Sequence, residues 1–162
     1  MRQIIEAIDL SLKTPLAGNI ACIKFVLIDD LDKIKEIAKA CQQPFVSQVS
    51  YLAVVCSDKT DVVRSYDEVG EKYVKQQAGA VIEQFLLKLT SFGLSSCWVG
   101  FFAEELVKKV IQLPDNIEVE AVIPIGYSMD TSASKRKPSV ENSLFFNRWK
   151  NKLMVPRREI DN

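Results

Sequence analysis

Between Gln76 and Gly100 the chain reads QQAGAVIEQFLLKLTSFGLSSCWVG. Its apolar positions Ala78, Val81, Ile82, Phe85, Leu86 and Leu89 fall at the i, i+3, i+4, i+7 spacing of one helical face. Ala80 and Leu87 widen that stripe, which predicts a helix buried on most sides. Gly79 inside it costs roughly 1 kcal/mol against alanine, so its presence argues for a closely packed neighbour. Gly93 stands where a left-handed C-terminal cap belongs, and Ser95 to Val99 reads as a short buried strand ending at Gly100. The rest of the pattern makes sense as packing around this helix and strand.

Upstream, Ile4, Ile5, Ile8 and Leu12 form a helical stripe that stops before Thr14-Pro15, because the residue before proline is pushed out of helical geometry. Lys24 to Ile28 is a short strand. Asp29, Asp30 and Asp32 then open a helix carrying Lys33, Lys35 and Lys39 in later turns, an order that suits the helix dipole. Leu31, Ile34, Ile37, Ala38 and Cys41 are its expected buried side. Gln42 to Ser50 connects to YLAVVC, residues 51 to 56, a continuous apolar run expected as a central strand covered on both faces. The polar stretch Ser57 to Lys75, with Tyr66, Val69, Tyr73 and Val74 at loosely helical spacing, reads as one surface helix. Ala103 to Leu113 is another helix, acidic at its start and basic at its end, with Leu106, Val107, Val110 and Ile111 facing the core and Pro114 stopping it. EVEAVIPIGY, residues 118 to 127, is the longest strand signal.

A chain of 162 residues is the size of one domain and buries about two thirds of its unfolded surface. Lysine plus arginine equals aspartate plus glutamate, 21 each, so the balance points to neither a nucleic-acid nor a membrane partner and leaves room for self-association. No apolar run approaches a membrane span of about 20 residues, and the N-terminus lacks a signal-peptide pattern. The four cysteines, Cys22, Cys41, Cys56 and Cys97, have no CxxC spacing, and the chain has no histidine. A zinc site or a Cys-His pair is therefore not expected, and the cysteines read as buried thiols of a cytoplasmic protein.

Two segments are candidates for binding. In the loop from Leu16 to Ile23, Gly18 and Asn19 suit a turn with positive φ, whose exposed N–H groups can receive an anion or a polar ring edge; a plain structural loop is the competing reading. Near the C-terminus, Lys135, Arg136 and Lys137 precede Pro138, and such a triplet is often a solvated patch. Beyond it, Leu144, Phe145, Phe146 and Trp149 carry too much apolar area for a free tail.

The run GLSSCWVG after a leucine- and alanine-rich helix resembles the corresponding segment of the nitroreductase family, FMN-dependent dimeric flavoproteins. Residues 122 to 127, VIPIGY, resemble the family's IPLGYP strand, with Ser128 in place of the last proline. The loop is similar to the family's P-S-x-x-N-x-Q-P-W-x-F segment, with Pro15, Asn19 and Phe25 at matching positions and Leu16, Ala21, Cys22 and Ile23 at the departures. The resemblance implies an α+β fold, with a mixed, mostly antiparallel sheet of four or five strands flanked by helices, in a homodimer. It implies a core domain over residues 1–138 and an arm over 139–162 that embraces the partner, packing on its own domain being the alternative for that tail.

By the same resemblance, FMN would be bound by Pro15, Leu16, Ala17, Gly18, Asn19, Trp98, Val99, Gly100, Lys135 and Arg136, the last gripping phosphate with its two-pronged guanidinium. No side chain acts as a catalytic group, because the flavin carries the redox chemistry; backbone N–H groups at Val99 and Gly100 would lie near its N5. A core aromatic is the competing reading of Trp98. The implied reaction passes reducing equivalents from NAD(P)H to a nitroaromatic, quinone or flavin by a ping-pong exchange. The upstream R-R-S-x-R cluster of such proteins is not in this sequence, and Gln77 and Gln84 replace the usual aspartate and asparagine. Loss of two charged phosphate contacts, about 1.5–3 kcal/mol each, would weaken FMN by roughly 10² to 10⁴. A relative that has lost productive flavin binding and persists as a dimeric ligand-binding or scaffolding protein is therefore the alternative.

Overall fold

The computed structural model describes residues 1–128 and 137–154. Lys135 and Arg136 lie outside the described residues. The chain divides into two compact units, the first being Met1–Ser128.

In the first unit, helix α1 (Arg2–Ser11) leads through a 3-10 turn at Ala17–Asn19 into strand β1 (Ile23–Ile28). Helix α2 (Leu31–Cys41) and a second 3-10 turn (Pro44–Gln48) precede β2 (Tyr51–Ser57). Helices α3 (Thr60–Tyr66) and α4 (Glu68–Ser91), strand β3 (Ser95–Ser96), helix α5 (Glu104–Ile111) and strand β4 (Glu118–Gly126) complete it. The architecture is helices on a four-stranded sheet of order β1-β2-β4-β3, every pairing antiparallel. The α+β expectation holds, with four strands among the described residues.

The alternation of β2 divides the core. Ala53 and Val55 join Ala121, Ile123 and Ile125 on the face covered by α1 and α4, where Ile4, Ala7, Val81, Ile82 and Phe85 are buried. Leu52, Val54 and Cys56 face Ile34, Ile37, Cys41 and Val107 of α2 and α5. A register shift between Val55 and Cys56 places Val119 on the second face with Val122. Such a bulge is how a strand of period 2 puts an odd and an even residue on one side. The central position of β2 explains why residues 52–57 are all buried and why their sequence is continuously apolar.

Local signals are obeyed at the helix ends. Asp30 caps α2 by accepting from the N–H groups of Asp32 at 3.0 Å and Lys33 at 3.2 Å, satisfying donors left open at a first turn. Gly93 takes φ +75 after α4, and Leu94 N–H donates to Leu89 O at 3.0 Å, as a left-handed cap requires.

Several expectations fail where no described part of this chain covers a face. Ile5, Leu12, Leu31, Leu87 and Leu106 are exposed, as is Ala80, so α4 is buried along one stripe and not on most sides. A Cβ built on Gly79 meets nothing within 4 Å, so the close neighbour expected there is not supplied by these residues. The stretch Ser57 to Lys75 is not one surface helix. It breaks at Asp67, whose φ of 48° and ψ of −134° reverse the chain, and its second half is the first two turns of a 24-residue α4. Gly70 permits the resulting contact: a Cβ there would lie 2.7 Å from Val63 Cα.

The Ser95–Val99 strand is also shorter than expected. Only Ser95 and Ser96 pair continuously with β4, followed by an isolated bridge from Val99 to Val122. Cys97 and Trp98 are exposed, because β3 is an edge strand that no helix of the described residues covers there.

The described part of the second unit holds one short helix, α6 (Val140–Ser143). Beyond it Phe146 N–H donates to Asn151 O at 2.8 Å, Phe145 stacks on Trp149 with centroids 4.6 Å apart, and Lys152 Nζ lies 4.0 Å from the Phe145 centroid. No helix among the described residues is long and apolar enough to cross a membrane.

Candidate functional site

Residues 98 to 103 form an arch between two anchors. At one end Val99 is pinned to β4, its N–H donating to Val122 O and its O accepting from Val122 N–H, both at 3.0 Å. At the other, Ala103 N–H donates to Ala40 O at the end of α2, at 2.9 Å. Between them the N–H groups of Gly100 and Phe101 have no acceptor among the described residues. A Cβ on Gly100 would meet nothing within 4 Å, so the space over this backbone is open. Trp98 is 44% exposed and Phe101 71%, which leaves two aromatic rings uncovered on either side of Gly100 and removes the core reading of Trp98. Val99 differs from Gly100: it is buried and its N–H is committed to the sheet.

Beside the arch is a cavity of about 620 Å³. It is lined at the ends of the central strands by Tyr51, Pro124 and Tyr127, on one side by Ser95 to Cys97, and on the other by Phe45, Gln48 and the start of α1. Its polar side chains are hydroxyls, amides and the Cys97 thiol, and no lysine or arginine lines it among the described residues. None of these residues is among the cofactor contacts expected from the sequence. Phe45 and Gln48 belong to a connection with no periodicity, and only the register of β2 against β4 brings them beside Tyr127.

The loop residues lie elsewhere. Gly18 and Asn19 both have positive φ, 57° and 58°, as the turn signal required. The turn is closed by Asn19 N–H to Leu16 O at 3.3 Å and Ile20 N–H to Ala17 O at 3.0 Å, and the N–H groups of Ala17 and Gly18 have no acceptor among the described residues. Pro15 is exposed at its start. Leu16, Ala21 and Ile23 line a smaller, mainly apolar cavity of about 340 Å³ with Ile8, Leu12 and Lys24. The loop ends on firm contacts: Asp58 N–H donates to Cys22 O at 2.9 Å, and Cys22 Sγ donates to Gln77 Oε1 at 3.6 Å. Gln77 is 4% exposed, and its Nε2 has no partner among the described residues.

Topology separates these two groups. The loop enters β1 and the arch leaves β3, and these strands are the two edges of the sheet, three strand spacings or about 14 Å apart. The two cavities are also separated along α1. Ile4 lines the larger cavity and Ile8 and Leu12 the smaller, a span of about 12 Å from Ile4 to Leu12 at 1.5 Å per residue.

A charged cluster lies at the end of the sheet where Ser57 pairs with Ile23, the last loop residue, and with Glu118. Hydrogen bonds from Lys59 and Lys75 hold the Glu118 carboxyl down at about 2, and bonds to Glu118 and Glu71 push Lys59 up. Glu120 accepts from Ser57 Oγ at 2.6 Å and from Lys75 at 2.9 Å. Every carboxylate in this cluster has a cation or hydroxyl partner, so it reads as a brace between α4 and the sheet. Burial pushes the Cys41 thiol up to about 11 and that of Cys56 to about 12, and Cys22 is raised mainly by burial. Those three are inert packing thiols. Cys97 is exposed and lines the larger cavity, contrary to the expectation that all four are buried.

The sequence is similar to that of an Archaeoglobus fulgidus protein provisionally named NADH dehydrogenase/NAD(P)H nitroreductase, at 28% identity over 121 residues, 72% of this chain and 67% of the relative. The fold resembles the crystal structure of a similarly named protein of Bacteroides thetaiotaomicron, with a TM-score of 0.78, 25% identity and coverage of 91% of this chain and 85% of that one. It also resembles the NADPH:FMN oxidoreductase of Vibrio harveyi complexed with NAD+, with a TM-score of 0.79 at 18% identity, over 93% of this chain and 69% of that one. The sequence model of the nitroreductase family matches residues 39–127, a span that holds the central strands, the long helix, the arch and most of the larger cavity's lining. With more than half of its length matched in this way, the chain belongs to the nitroreductase family.

Proposed function

We propose that this protein is an FMN-dependent oxidoreductase that passes reducing equivalents from NAD(P)H to a planar acceptor, a nitroaromatic, quinone or flavin, by a ping-pong exchange. The observation that carries the reading is the arch: an N–H at Gly100 with no acceptor among the described residues, open space above it, and exposed Trp98 and Phe101 beside it. An uncommitted main-chain donor beside an uncovered aromatic surface fits a flat, hydrogen-bonding ring. Bound FMN would supply the two-electron chemistry, which explains why no nucleophile or general base is needed from the chain. The chain's part is to hold and orient: Gly100 N–H donates to the ring edge, Trp98 and Val99 support that segment, and Pro15, Leu16, Ala17, Gly18 and Asn19 offer a second set of contacts. Lys135 and Arg136, outside the described residues, are the proposed phosphate grip.

Because the loop and the arch lie at opposite edges of one sheet, a single ring meets both only where two copies adjoin. The reading therefore includes a homodimer, with residues 1–138 as its core and 139–162 as an arm reaching the second copy. Free thiols at four positions support a cytoplasmic setting. The apolar lining of the smaller cavity by Leu16, Ala21 and Ile23 favours one alternative, a dimeric ligand-binding relative without turnover.

The purified protein's visible absorbance, an FMN titration and NADH oxidation with a quinone acceptor test the reading. Flavin binding with turnover is expected. A colourless protein that stays silent at high micromolar FMN would reject it, and flavin binding without NADH oxidation would favour the ligand-binding alternative.

A further inference from the structure

The ring of Tyr66 lies directly on Gly18. A Cβ built on Gly18 would come within 2.5 Å of Tyr66 Oη and 3.3 Å of its Cε2 and Cζ, closer than van der Waals contact allows. The glycine is therefore needed twice, for a φ of +57° and for the aromatic ring above it. We infer that Tyr66 is a positioning residue: it holds the left-handed Gly18–Asn19 turn in the conformation that leaves the Ala17 and Gly18 amides without an acceptor among the described residues. The inference rests on the reading of that turn as a flavin contact.

The turn has little to hold it otherwise. It is closed by two hydrogen bonds of 3.3 and 3.0 Å, and Asn19 occupies a region of φ that most side chains avoid. The loop's far end is fixed through Cys22 to Asp58 and Gln77, but none of those bonds reaches residues 17–19. Tyr66 does, and its own place is set on three sides. Tyr73 meets it edge to face, with centroids 5.1 Å apart and planes at 88°. Asp67 turns the chain back immediately after it. Gly70 lets α4 close against Val62 and Val63 of α3. A ring immobilised in this way restricts the backbone beneath it, and a preformed turn binds without the ordering cost of a loose one. The helix pair α3 and α4 thereby acts on the ligand loop through one aromatic contact.

The test compares Tyr66→Phe with Tyr66→Ala in the full chain, by amide hydrogen exchange without flavin and by FMN affinity. The alanine variant should speed exchange at the Asn19 and Ile20 amides at least tenfold and weaken FMN by about tenfold. Protection in β2 and β4 should stay unchanged, which shows that the fold is intact. The phenylalanine variant, which keeps the ring, should stay within about threefold of the parent in both. Unchanged exchange at Asn19 and Ile20 in Tyr66→Ala overturns the inference, as does faster exchange with unchanged FMN affinity. If the unaltered protein binds no FMN, the functional reading fails by itself, and exchange at Asn19 and Ile20 still decides whether Tyr66 holds the turn.

Discussion

Glu118, the first residue of β4, lies 2.7 Å from Lys59 Nζ, and its other oxygen lies 2.9 Å from Lys75 Nζ on α4. One carboxylate thus ties the start of the longest strand to the start of α3 and to the helix that covers the sheet. Its pKa falls from 4.5 to about 2 because the two lysines hydrogen-bond to it. A carboxylate depressed in the folded state adds stability above its unfolded pKa and loses it as pH falls through the folded value. The loss should therefore run from about pH 4.5 down to about 2. Glu118→Gln is expected to cost about 1 kcal/mol at neutral pH, a figure reduced for screening because the side chain is 30% exposed. Urea midpoints measured against pH check this, and the gap between the two proteins should close near pH 2.

Gly70 marks the closest approach of α3 to α4. A Cβ there would lie 2.7 Å from Val63 Cα and 2.9 Å from Val62 O, and both neighbours are main chain and cannot swing away. Gly70→Ala is expected to destabilise by about 1–3 kcal/mol, the usual range for an overpacked contact, despite alanine's better helix propensity. A gain in the urea midpoint would show that the two helices can separate freely.

Asp67 has φ 48° and ψ −134°, a region that only glycine enters without strain. Asp67→Gly should raise stability by about 1 kcal/mol, strain relief outweighing the added freedom of the unfolded chain. Asp67→Ala should give no such gain. Thermal midpoints of the two variants separate backbone strain from any effect of the lost carboxylate.

Thiol labelling reads the burial of the four cysteines. Cys22, Cys41 and Cys56 are buried with raised pKa values, whereas Cys97 is exposed, and the thiolate is the reactive form. The native protein should react rapidly at one thiol per chain and at all four in denaturant, with Cys97→Ser abolishing the fast phase. Since Cys97 directly precedes Trp98 at the start of the arch, flavin bound at the arch should slow its labelling.

What the sequence determined by itself is most of the elements and the positions of their apolar faces. The continuous apolar run YLAVVC, the strand pattern EVEAVIPIG, the stripe from Ala78 to Leu89, the Asp30 cap and the Gly93 stop each depend on neighbours a few residues away, so local pattern and turn chemistry suffice to read them. Resemblance then supplied the family. Tertiary structure alone decided which apolar faces are covered: Leu31, Leu87 and Leu106 fit their stripes yet remain exposed, because coverage depends on which element packs opposite. It also decided that Ser57 to Lys75 folds as an elbow at Asp67, since the cost of that backbone is offset only by contacts between α3 and α4. The larger cavity beside Phe45, Gln48 and Tyr127, the separation of the Gly18 turn from the Gly100 arch, and the ring of Tyr66 on Gly18 all follow from strand order and register. Those are relations between residues distant in the chain, and no spacing along the chain encodes them.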